Sequence, residues 1–91
     1  MTKFDSIWDA ISETPAEAES MKLRSGLMMA LKDHIVAKAL NRPEAAKLFG
    51  VTQSRIADLM RGKIDLFSLD TLVTMAVVAG MRVKINIEKA T

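Results

Sequence analysis

Three consecutive polar residues, Gln53, Ser54 and Arg55, open a short segment whose apolar positions Ile56, Leu59 and Met60 share one helical face. Side chains of these types at the start of a helix can read base edges. Arg55 has the planar fork for guanine O6 and N7, Gln53 the amide for adenine N6 and N7, and Ser54 discriminates weakly. Asp58 lies three residues from Arg55 and four from Ser54. A carboxylate there is repelled by phosphate, so the spacing assigns it to orienting the Arg55 guanidinium. Arg61 and Lys63 at the far end of the segment, Lys47 before it and Thr52 at its start are placed to touch phosphates, which add affinity without reading sequence.

The charge is distributed in keeping with this. Residues 42–63 carry Arg42, Lys47, Arg55, Arg61 and Lys63 against Glu44 and Asp58, a balance of +3. Residues 21–41 add another +3, residues 1–20 stand at −4, and residues 64–91 are neutral. Basic charge in the middle of a chain favours a polyanionic partner, although a solvated helical face can have the same balance.

Other chemistry finds little support. The chain has no cysteine, which excludes disulfides, thiolate-bound zinc and cysteine nucleophiles. His34 is the only histidine and has no second ligand type beside it, so a surface or half-buried helical position is the expectation. No Gly-rich phosphate loop, nucleophile with a base, or metal-ligand spacing occurs. The sequence therefore reads as a protein without catalysis, metal or cofactor.

A helix offering residues 53–55 to a partner must be held by other elements. Ninety-one residues make one domain with a core that is marginal for an isolated chain. Aromatic residues are 4% of the chain, so that core is aliphatic. No apolar run reaches the roughly 18 residues of a membrane span, and residues 1–5 lack a signal-peptide pattern, which points to a soluble cytoplasmic protein. Thr14-Pro15-Ala16-Glu17 has the form of a capping box, predicting a first helix from residue 15 to Leu40 with Met21, Met28, Leu31 and Ile35 inward, although Gly26 could fray or kink it. Asn41-Arg42-Pro43-Glu44 repeats that signature and opens a helix that Gly50 ends. Thr52 caps the third helix, which Gly62 ends, and Ser68 caps a fourth that stops at Gly80. In the fourth helix Leu69, Leu72, Val73, Ala76 and Val77 form one stripe. Met75, Val78 and Ala79 extend the apolar surface beyond what one core needs. Residues 82–88 alternate polar and apolar as a half-buried strand does.

Residues 42–61 meet the steric demands of a helix-turn-helix. Ala46 is small where two helices cross closely, Gly50 stands in the turn, and Ile56 and Leu59 face back onto the first helix of the pair. A plain helical bundle is the alternative at this spacing. The run Pro43-Glu44-Ala45-Ala46-Lys47-Leu48-Phe49-Gly50-Val51-Thr52-Gln53-Ser54-Arg55-Ile56-Ala57-Asp58-Leu59-Met60-Arg61-Gly62-Lys63 resembles the Xre/Cro repressor helix-turn-helix family. With Ile64 to Leu72 and the terminal strand, about residues 20–88 are similar to the branch containing HigA-type antitoxins of toxin–antitoxin operons. The resemblance implies a mostly α, lambda-repressor-like domain that binds double-stranded palindromic DNA as a homodimer and represses transcription, with a RelE-like toxin as further partner. The family usually has Gln at the start of the first motif helix, touching a phosphate; here Arg42 stands in that place and keeps the role.

Two more segments remain. The leader, residues 1–14, places Phe4, Ile7, Trp8 and Ile11 at i, i+3, i+4 and i+7 on an acidic background. It either packs on the body of the domain, residues 15–91, or forms an arm that captures the toxin with Trp8 as anchor. The strand at 82–88 has no partner in the chain, so it is expected to pair antiparallel across a dimer, with Met75, Val78, Ala79, Val83, Ile85 and Ile87 forming the interface. Rival readings are a solitary Xre-family regulator and a helical protein-interaction module that binds no DNA.

Overall fold

The structure, a computed structural model, describes residues 14–89. Four α-helices follow one another: α1 (Pro15–Ala37), α2 (Arg42–Phe49), α3 (Gln53–Met60) and α4 (Leu69–Val78), with a 3-10 turn, Ile64–Leu66, between α3 and α4. Residues 81–89 form a tail without helix or ladder. The apolar leader positions Phe4, Ile7, Trp8 and Ile11 lie outside the described residues.

Each helix starts where its sequence supplies a cap. The Thr14 hydroxyl accepts the Glu17 N–H at 3.1 Å while the Thr14 N–H donates to Glu17 Oε1 at 2.9 Å. Asn41 and Glu44 make the same reciprocal pair at 2.9 and 2.8 Å. Thr52 and Ser68 cap α3 and α4 by accepting the N–H groups of Arg55 and Thr71, both at 3.1 Å. Each such bond satisfies an otherwise unpaired helix donor and is worth about 0.5–2 kcal/mol.

The helix ends share a geometry. Gly50, Gly62 and Gly80 take positive φ, and the N–H of the next residue returns to a carbonyl five positions back: Val51 to Ala46, Lys63 to Asp58, Met81 to Ala76. The end of α1 has the same pattern without a glycine. Ala39 sits at φ 51°, with Leu40 N–H donating to Ile35 O. The helix therefore stops at Ala37, three residues before the expected Leu40, because the chain must turn to place Asn41 as the cap of α2. Gly26 interrupts nothing; α1 runs through it.

Helix α1 packs on α4, α2 packs on α3, and α2 also touches α4. Met28, Leu31 and Ile35 of α1 meet Ala45, Ala46 and Phe49 of α2, Ile56 and Leu59 of α3, Phe67, and Leu72, Met75 and Ala76 of α4 in one core. Two expectations change. Met60, placed inward by spacing, is exposed at the end of α3. Met75, placed on the dimer face, is 1% exposed and belongs to the core, whereas Val77 is 58% exposed. Helix α4 is apolar nearly all round, so its own pattern does not choose a face. Contact with α1 and α2 selects Leu72, Met75 and Ala76.

The expected strand has no ladder among the described residues. In its place the tail lays Val83, half-buried, against the core and leaves Ile85 and Ile87 exposed, Ile87 at 92%. In the monomer it is thus not the half-buried strand that the alternation predicts.

Candidate nucleic-acid interface

Ile56 and Leu59 bury one side of α3, so at 100° per residue the opposite side presents Ser54, Asp58 and Arg61, with Ala57 and Gln53 flanking them. Gln53, Ser54 and Arg61 are exposed, and Ala57 and Asp58 half-buried. The result is a short polar ridge with one methyl in it, narrow enough to enter a groove about 12 Å wide. Thr52 uses an oxygen lone pair to cap the helix, which leaves its hydroxyl proton to donate outward.

Arg55 does not sit with Asp58. Its Nη1 donates to Leu66 O at 2.8 Å, and its guanidinium carbon lies 5.2 Å from the centre of the Phe67 ring. A fixed carbonyl and a ring face together outcompete the half-buried Asp58 carboxylate, which water still reaches. The expected pairing that would orient Arg55 is therefore replaced by a brace from α3 to the 3-10 turn, and Asp58 stands on the outward ridge. Replacing Arg55 with alanine removes a charge-assisted hydrogen bond and a cation–π contact and should cost about 1–3 kcal/mol of stability, with lysine restoring only part. Urea unfolding of the three proteins measures this.

The cations frame the ridge. Arg42 at the start of α2 and Arg61 at the end of α3 line one open groove of about 370 Å³ whose floor includes Ile35, Leu40 and Ile56. Lys47 is exposed in the last turn of α2, and Lys63 is exposed just beyond α3. The turn between the two helices is tight. Gly50 has φ 69°, and a Cβ there would stand 3.3 Å from Val78 Cγ1 of α4, so both backbone and neighbour favour glycine.

Of the other candidate residues, Val78 and Ile85 are exposed on the surface, whereas Ala79 and Val83 are half-buried against the chain's own core. The sequence gives Ala57 no role and gives Asp58, on the exposed face, the orienting of Arg55. The signal was available, since both lie away from Ile56 and Leu59 on a helical projection.

A family model described as a helix-turn-helix domain matches residues 10–88. A solved structure described as an XRE family transcriptional regulator is similar at 29% identity, with a TM-score of 0.72 over 79% of this chain and 81% of that one. No curated protein matches.

Proposed function

Because the chain belongs to the helix-turn-helix domain family, we propose that it is a sequence-specific DNA-binding transcriptional regulator of the Xre type, with α3 as its recognition helix. The observation that carries this is the exposed ridge of α3, capped by Thr52 and flanked across one groove by Arg42 and Arg61. Gln53 and Ser54 read base edges at the end of the helix that enters the major groove, Asp58 accepts from a cytosine amino group, and the Ala57 methyl contacts a thymine methyl. Arg55 supports this surface from behind. Thr52, Arg42, Lys47, Arg61 and Lys63 hold phosphates. A gel shift with the DNA upstream of the gene against unrelated DNA of equal length tests the reading.

Lys63 lies just beyond α3 and is left to phosphate contact alone. Its replacement by alanine should weaken specific and non-specific DNA alike and lower the salt slope by about one unit per site. Titrations at several salt concentrations would expose a sequence-selective loss, which would contradict the assignment.

The active form is a homodimer, since two recognition helices reach successive major grooves only when held roughly 34 Å apart. Exposed Val78, Ile85 and Ile87 supply the surface for it, and the unpaired tail supplies the strand that a second copy completes by antiparallel pairing. Ile85→Lys should give monomers in sedimentation that bind a palindromic site poorly. Wild-type protein that is monomeric at micromolar concentration would overturn the shared strand.

A narrower reading makes the protein a repressor of its own operon and the antitoxin of a toxin–antitoxin pair. It is supported by the resemblance to HigA-type antitoxins. Co-expression with the product of the adjacent reading frame tests it, with growth arrest relieved only when both are made.

A further inference from the structure

A trough runs between α1 and the tail. Where α1 begins it is lined by Pro15, Ala18 and Lys22 on one side and Asn86 and Glu88 on the other. Farther along it becomes an apolar groove of about 260 Å³ lined by Leu23, Gly26, Leu27, Leu69, Val83 and Ile85. Lys22 belongs to both stretches, and Lys84 lies beside the apolar one. Leu23 and Ile85 remain substantially exposed, and nothing lies within 4 Å of where a Gly26 Cβ would be. The groove thus has apolar walls, a basic flank and an open floor.

We infer that this trough is the docking site of the chain's own leader, with Phe4, Ile7, Trp8 and Ile11 seated on the apolar groove. Three observations select that occupant. The first is position: the Thr14–Glu17 capping box fixes the junction of leader and helix at the mouth of the trough, beside Pro15. The second is reach: from Pro15 to Gly26 α1 rises roughly 16 Å, and 13 residues reversing direction before Thr14 span that distance whether helical or extended. The third is chemistry: the apolar quartet belongs to a segment that carries Asp5, Asp9 and Glu13 against Lys3 alone, and the groove is flanked by Lys22 and Lys84. The Lys22–Glu19 ion pair, 3.3 Å long with both side chains at least 70% exposed, is a weak surface pair and does not withhold Lys22.

A tethered segment also has a concentration advantage over any free partner, on the order of millimolar for a short connection. The docked leader covers Val83 and the side of Ile85 that lines the groove, and so holds the tail in place, leaving the tail's outer edge and Ile87 for a second copy. Phe4, Ile7 and Trp8 lie outside the region matched by the family model, whereas Ile11 lies within it.

Trp8 is the only tryptophan, and the chain has no tyrosine, so its emission reports the leader directly. In the full chain Trp8 should emit to the blue of a synthetic peptide of residues 1–14 and resist acrylamide quenching. Gly26→Leu, at a helical position with open space, should keep the fold by circular dichroism yet fill the groove and return Trp8 to peptide-like behaviour. Reversing Asp5 and Asp9 to lysine should weaken the protection, and adding Lys22→Glu and Lys84→Glu should restore it. Three results would overturn the inference: peptide-like Trp8 in the full chain, protection that Gly26→Leu leaves unchanged, or protection lost on dilution, which would mean a second copy fills the groove.

Discussion

Gln53→Ala should lower affinity for a two-half-site operator by roughly 2–6 kcal/mol, the cost of one base contact of about 1–3 kcal/mol lost twice in a symmetric complex. Gln53 is the first residue of α3 and is exposed, with Thr52 capping the helix through the Arg55 N–H and leaving the Gln53 amide for other partners. Non-specific binding, for which the proposal uses Arg42, Lys47, Arg61 and Lys63, should barely change. Fluorescence anisotropy with operator and scrambled duplexes measures both. An equal loss on the two duplexes would place Gln53 among the phosphate contacts.

The largest expected effect on stability is at Phe49. Its side chain is 1% exposed, meets the His34 ring edge-on at a centroid distance of 6.2 Å, and closes α2 next to the Gly50 turn. Phe49→Ala should cost about 3–5 kcal/mol, transfer and cavity terms together. Domains of this kind have about 5–15 kcal/mol in total, so the variant should be partly unfolded at physiological temperature. Urea unfolding checks this, and a loss below about 1 kcal/mol would mean that the core around Phe49 collapses to fill the space. DNA binding should fall in proportion to the unfolded fraction, because α2 and α3 are held at their crossing by this side chain and by Ala45 and Ala46.

The helix starts were legible because they depend on local chemistry. Thr14, Asn41, Thr52 and Ser68 cap the helices whatever the rest of the chain does. Three of the four stops were legible for the same reason, each being a glycine that takes the positive φ required there. The fourth was not, since Ala39 adopts a conformation its type disfavours and only the packing of α2 imposes it. Met75 and Val77 exchange places between core and surface because α4 has apolar residues on every side, leaving tertiary contact to choose. Arg55 was the position whose contacts were least legible. Spacing pairs it with Asp58, but its 2.8 Å bond goes to Leu66 O, a backbone group 11 residues away that sequence spacing cannot indicate. The alternation in residues 82–88 was real, yet alternation describes a strand's two faces and says nothing about whether the partner is in the same chain.

Whether α3 reads a DNA sequence is decided by selection from a pool of random duplexes with the full chain. A recognition helix should enrich a two-fold-related motif whose half-sites lie about one helical turn, roughly 10 bp, apart. Gln53→Ala should relax one position in each half while Lys63→Ala changes none. Recovery of no motif, with affinity that follows salt alone and not sequence, would contradict that role for α3.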